Sequence, residues 1–212
     1  QLRTGKTYQI AMVTIIASPQ DDEWGGVGYT HLISGLNHAI EHSPYRVVQY
    51  QVGSFQESLE TIKRIVVNRK ADGIIISGTR PQDERIKYMQ AQDFPFVSYG
   101  TSAVSQPHAF VDTDNSRIIA ICVDRLIAKG HKRLAMLDAN AELMYAQERM
   151  NAYKKALERA GLPLDPALMA NGRLTAAFGR EQLFEMSTLD EPPTAYICAN
   201  EATARPPQSE VH

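Results

Sequence analysis

The stretch AQERMNAYKKALERAG, residues 146–161, has the spacing of an amphipathic helix and one residue out of pattern. At about 100° per residue, Met150, Tyr153, Ala156, Leu157 and Ala160 share an arc roughly 120° wide. Lys154, Lys155, Glu158 and Arg159 lie outside it. Arg149 falls inside, near the helix start, where the macrodipole disfavours a cation. Its guanidinium is a planar, permanently charged fork of donors, suited to a polyol or anionic edge. The competing reading is snorkelling, with the stem over apolar surface and the head in water. The preceding loop, LDANAELMY, follows an expected strand C-terminus, where parallel sheets keep their ligands, and this favours a ligand contact.

Other candidate chemistry is weaker. His38 and His42, spaced i and i+4, could hold a metal, but no third ligand is obvious nearby and a solvated pair is the simpler reading. QDDE (20–23) could hold a divalent cation or hydrogen-bond a small ligand beyond a strand end. GGVG (25–28) lacks the G-x-G-x-x-G fingerprint and its downstream acid. G-x-x-x-x-G-K-[ST] and G-x-S-x-G are absent, and spacing assembles no nucleophile, base and orienter. An enzyme is therefore not expected, nor is a cofactor or metal. What remains are polar and aromatic loops after strand ends. Trp24 or Tyr29 could stack on a sugar or base face, while Asp22, Arg149 and Asn200 bond its edge. Packing beneath the loop is the equal alternative for the two aromatics.

The elements that must position these groups alternate. YQIAMVTIIA (8–17) is continuous and β-branched, as a buried strand requires. GYTHLISGLNHAIEH (28–42) has Tyr29, Leu32, Ile33, Leu36 and Ile40 at helical spacing. YRVVQYQV (45–52) alternates like a strand. A helix over 54–70 opens on a Ser54–Glu57 capping box and carries Leu59, Ile62, Ile65 and Val66. ADGIIISG (71–78) and FPFVSYG (94–100) are short strands flanking a short helix in PQDERIKYMQAQ. After the capping types Asp114 and Asn115, the pattern restarts with a helix through Ile119, Cys122, Val123, Leu126 and Ile127, ending at Gly130. The strand RLAMLD, the opening helix, a loop GLPLDPALMANG, a helix over 177–189 and the strand TAYICAN follow. Such alternation predicts an α/β protein of two doubly wound parallel sheets with right-handed crossovers.

The 212 residues are 43% hydrophobic and 22% charged with net charge −2, which gives no basic footprint for nucleic acid. No apolar run reaches membrane-span length, and QLRTGKTYQI has no signal core. Cys122 and Cys198 are far apart in apolar stretches, which predicts buried free thiols and a cytoplasmic setting.

The succession FVDTDN (110–115), LIAKGHKRLAML (126–137), ERMNAYKKALERAGLP (148–163) and PPTAYICAN (192–200) resembles the effector-binding domain of lactose-repressor-type (LacI/GalR) transcription regulators. GYTHLISGLNHAI and RKADGIIISG fit the same order. The resemblance implies a periplasmic-binding-protein-like fold, two lobes joined by crossover strands, with a carbohydrate or, less often, a purine bound between them. It implies a homodimer acting on operator DNA through a separate DNA-binding domain, with no membrane partner. By motif, Arg149 matches the effector-bonding arginine and Asn200 the asparagine of an A-N-D motif. Tyr29 stands where an aromatic stacks on the ligand. Tyr145 and Thr101 stand at the pocket rim, and Leu174 where many members place an aromatic. The expected boundaries are a hinge-derived linker at 1–7, lobes at 8–111 and 112–203, and an irregular tail at 204–212. Asn200–Glu201 departs from A-N-D. No helix-turn-helix precedes Gln1, LRTGKT resembles the junction after the hinge helix, and the family continues beyond residue 204. An excised effector domain with an incomplete second lobe is the resulting expectation. A solute-binding protein of a sugar transporter is the alternative.

Overall fold

Gln9–Ile15 forms strand β1, and its residues 11–14 are buried because both faces are covered, so the run is apolar without alternation. The structure, a computed structural model, describes residues 5–16 and 27–204, with the side chains of 27–29 outside the description. The chain divides into two compact units, Gln1–Thr113 and Asp114–His212.

In the first unit, β1 is followed by helix α1 (Val27–Ile40), β2 (Arg46–Val52), α2 (Phe55–Val67), β3 (Gly73–Ser77), α3 (Glu84–Ala91), β4 (Phe96–Tyr99) and β5 (Phe110–Val111). All neighbours pair in parallel, in the order β2-β1-β3-β4-β5. The chain thus leaves β1 to one side and returns to the other, placing a switch point between the C-termini of β1 and β3. Strand β5 is a two-residue edge strand that the sequence pattern does not reveal. Val13, Ile62, Ile65, Ile74, Ile76, Ile86 and Met89 form the core. Helix α2 starts where expected: Ser54 Oγ accepts from Glu57 N–H at 3.1 Å, and Glu57 Oε2 accepts from Gly53 N–H at 2.8 Å. Its buried stripe is turned from the expected one, to Ser58, Thr61, Ile62 and Ile65, because Ser58 Oγ accepts from the buried Arg85 guanidinium. Leu59 and Val66 are half-buried.

The second unit runs α4 (Asn115–Ala128), β6 (Leu134–Ala139), α5 (Met144–Arg159), β7 (Met169–Gly172), α6 (Ala176–Ser187) and β8 (Ala195–Cys198), in a parallel sheet ordered β7-β6-β8. Every residue of the central β6 is buried. GLPLDPALMANG is more than a loop: Pro166–Leu168 is a single 3-10 turn and β7 registers Met169 against Met136. A four-residue edge strand containing Asn171 and Gly172 has low β propensity and no alternation to betray it. The α5 face is as spaced, with Tyr153, Ala156 and Leu157 buried, but Ala160 lies beyond the helix and is exposed. Both cysteines are free and half-buried rather than fully enclosed.

Candidate functional site

Strand β6 ends on Asp138 and Ala139, and the chain must reverse there to start α5. Asn140 makes the reversal as an Asx turn, its Oδ1 accepting from Glu142 N–H at 2.9 Å while its carbonyl accepts from Leu143 N–H at 3.0 Å. The helix then begins at Met144, which places Tyr145 in its first turn and Arg149 in its second. Residues four apart stack on a helix face, and the Arg149 guanidinium carbon lies 4.9 Å from the Tyr145 ring centroid.

The guanidinium does not trail into solvent. Its Nε–H donates to Asn115 Oδ1 at 2.8 Å, and Nη1 lies 3.6 Å from Asp138 Oδ1, leaving the side chain 19% exposed. Asn115, the first residue of α4 and 2% exposed, donates from Nδ2 to Glu148 Oε2 at 3.2 Å. Asp114, not Asn115, is the helix cap, its Oδ1 accepting from Arg117 N–H at 2.8 Å. Three elements therefore hold one cation. Asp138 is wholly buried. Its Oδ1 accepts from Ala139 N–H at 2.8 Å, and its Oδ2 has no hydrogen-bond partner among the described residues. Burial pushes the Asp138 carboxyl above the usual range, against the lowering pull of the Ala139 N–H and Arg149. Desolvation likewise pushes the Tyr145 phenol up to about 12, so it stays a neutral hydroxyl.

Leu174 follows β7 and packs with Ala139, Ala146, Leu143, Tyr145 and Ala199, an apolar cluster at the C-terminal ends of the three strands. Asn200, just past β8, donates from Nδ2 to the Leu174 carbonyl at 3.1 Å. Its Oδ1 accepts from Thr203 N–H at 2.9 Å and from Thr203 Oγ1 at 2.6 Å. Arg149, Tyr145, Leu174 and Asn200 are thus chained by direct contacts on one sheet edge. Asn200 serves there first as the post that fixes its own turn.

Thr101 belongs to the first unit, just beyond β4. Its N–H donates to Asp112 Oδ2 at 2.8 Å, and its carbonyl accepts from Thr79 Oγ1 at 2.5 Å. The bend before it needs Gly100, whose φ is +112° and whose added Cβ would meet Thr79 Oγ1 at 2.8 Å. Tyr29 lies on α1, but its side chain, like Asp22 and Trp24, falls outside the described residues. His38 Nδ1 faces Glu41 at 3.3 Å on an exposed helix surface, and among the described residues no three His, Cys, Asp or Glu side chains converge as a metal site.

A family model described as periplasmic binding proteins and sugar binding domain of LacI family matches residues 11–206. The chain belongs to this family. It is 29% identical over 206 residues to the HTH-type transcriptional regulator AglR of Rhizobium meliloti, covering 96% of this chain and 56% of that protein. Against the HTH-type transcriptional regulator RafR of Escherichia coli the identity is 28% over 202 residues, covering 95% and 58%. The chain spans little more than half the length of these curated relatives. A regulatory protein of LacI family from Chloroflexus aggregans shares the fold with a TM-score of 0.78 at 23% identity, over 93% of this chain and 70% of that one. A transcriptional regulator CelR–cellobiose complex does so at 0.73 and 22% identity, over 85% and 55%.

Two polar residues of this LacI-family domain escape sequence reasoning although they organise the site. Asp138 leaves one trace, a carboxylate closing the apolar run LAML of a central strand. Asn115 leaves none, since an asparagine beside Asp114 reads as a second capping residue. Among the described residues no helix is long and apolar enough to cross a membrane.

Proposed function

We propose that this chain is the effector-sensing part of a LacI-type transcription regulator, taking a small carbohydrate against Arg149. The observation that carries the reading is a mostly buried guanidinium at the strand C-termini, backed by an aromatic ring and braced from α4 and β6. Braced donors of this kind need no reordering when a ligand arrives, which favours affinity. Arg149 presents its remaining N–H groups to ligand hydroxyls. Tyr145 and Leu174 form the apolar backing, and Asn200 holds the neighbouring turn.

The family model's description as a sugar binding domain and a structural relative whose complex holds cellobiose support a sugar effector over a purine, and AglR and RafR are transcriptional regulators. They also favour a regulator over a transporter's solute-binding protein. The intact protein would work in the cytoplasm as a homodimer and reach operator DNA through residues outside this chain. Effector would act by binding one conformation of the regulator more tightly than the other. It would act as a ligand sensor and not as an enzyme.

Calorimetric titration with glucose, maltose, sucrose, cellobiose and adenosine tests this. Micromolar-range binding of one sugar is expected, with an Arg149→Ala variant weakened at least about thirtyfold, since hydrogen bonds to a charged partner are each worth roughly 1.5–3 kcal/mol. Undiminished binding by Arg149→Ala would overturn the role of that residue, and binding of adenosine alone would overturn the ligand class.

A further inference from the structure

A buried carboxylate needs a compensating cation, because neither its charge nor an unmet oxygen can borrow from water. Asp138 is wholly buried, its Oδ2 is unmet among the described residues, and the cation facing it is Arg149 at 3.6 Å. Asp138 does not build the fold's core: Leu134 and Met136 on the same face of β6 pack in the apolar cluster with α4 and α5. It sits one pleat further on, at the strand end, where an apolar residue would complete that cluster. The second hand on the guanidinium, Asn115, is itself tied to the carboxylate of Glu148. Two carboxylates therefore bear on one arginine, one directly and one through an amide. On the loops that follow β6, β7 and β8, Glu142 and Glu201 outnumber Arg173, all three exposed.

We infer that Asp138 is a specificity-determining residue: it cancels the charge of Arg149, so that the site takes an uncharged, hydroxyl-bearing ligand and refuses its phosphorylated or carboxylated analogues. This rests on the placement of Arg149 in the effector site given above. An anion docking on the free N–H groups of Arg149 would be the third negative group around a single cation, in a setting where charges are poorly screened. A neutral hydroxyl meets the same donors without that repulsion. Were Asp138 an apolar residue, the same guanidinium would be an anion trap. Asp138 acts through Arg149 and through its field, not by touching the ligand.

The test uses the whole chain as wild type, Asp138→Asn, Asp138→Ala and the double variant Asp138→Asn with Arg149→Gln. Binding of inorganic phosphate and glucose 6-phosphate is measured by calorimetry beside glucose and maltose, with far-UV circular dichroism confirming that each variant folds. Both Asp138 variants are expected to bind inorganic phosphate at least about tenfold more tightly than wild type. The gain should vanish in the double variant. A merely structural Asp138 would move neither result. Phosphate affinity unchanged in both folded single variants would overturn the inference, as would wild-type protein binding glucose 6-phosphate as tightly as glucose. Should no neutral sugar bind while phosphate affinity still rises, the carbohydrate reading falls and the charge compensation stands.

Discussion

Removal of the Asp83 carboxylate should unhinge the first unit, because it holds a second and more deeply buried arginine. Arg85 and Asp83 are both wholly buried. Arg85 Nε and Nη2 donate to Asp83 at 3.0 and 2.8 Å, in the bidentate form that suits a guanidinium. Further donors reach Ser58 Oγ on α2 and the carbonyls of Ser77, the last residue of β3, and Gly78, and the Phe55 ring lies 4.4 Å from the guanidinium carbon. Asp83 also caps α3, accepting from Arg85 N–H at 3.0 Å and from Arg80 N–H at 3.1 Å. Asp83→Ala leaves a buried cation without its counter-charge, at a cost of about 3–5 kcal/mol, and removes a cap worth about 1 kcal/mol. Because the effects overlap, about 4 kcal/mol is the expected loss. Hydrogen exchange read by peptide suits a chain of two units, where a single melting temperature does not. Protection in α2, β3 and α3 should fall several-hundredfold, at about 1.4 kcal/mol per factor of ten, while α4 and β6 keep theirs. A companion Asp83→Ala/Arg85→Met variant should recover most of the loss, since the stranded charge is gone. The reasoning fails if the single variant costs under about 1 kcal/mol, or if the double variant is no better than the single.

The remaining predictions concern pH and packing. His108 stacks on Phe96 at 5.6 Å, and its Nε2 lies 2.9 Å from Ser98 Oγ, whose own proton goes to the Gly100 carbonyl at 2.6 Å. Burial holds its pKa below the ordinary 6.5, opposed by the negative charge of Asp83. The unfolded chain then binds the proton more readily, so stability contributed here is complete above about pH 6.5 and is lost as pH falls through the folded value. Urea midpoints of His108→Gln measured from pH 8 to pH 5 should show a flatter acid limb than wild type; an identical slope would refute this. Gly179 of α6 touches the backbone of the turn that Asn200 fixes: an added Cβ would collide with the Thr203 carbonyl oxygen. Gly179→Ala should destabilise the second unit by about 2 kcal/mol despite its better helix propensity, with faster exchange over 195–204. A stabilised variant would show that the turn yields freely.

Alternation of continuous apolar strands with amphipathic helices was enough to specify a parallel α/β protein in two sets. That legibility has a cause: strands covered on both faces and helices covered on one leave distinct periods in the sequence. Ser54 and Glu57 announced the start of α2 for a comparable reason, since capping is local in the chain. Strands β5 and β7 were invisible because two or four residues at a sheet edge, two of them Asn171 and Gly172, are fixed by pairing with a remote neighbour and not by their own pattern.

The site divides along the same line. Arg149 stood out in the sequence because a cation on an apolar helix face breaks a local rule, and Tyr145 was one turn away on that face. Nothing local joins Asn115 to Glu148 and Arg149, which are 33 and 34 residues distant, or Asp138 to Arg149 across the turn. Sequence alone determined that an arginine waits at a strand end with a ring beside it. Only the tertiary structure decided its electrostatic character, because burial and counter-charge arise when β6, α4 and α5 pack, and a fully enclosed carboxylate turns a free cation into a compensated one.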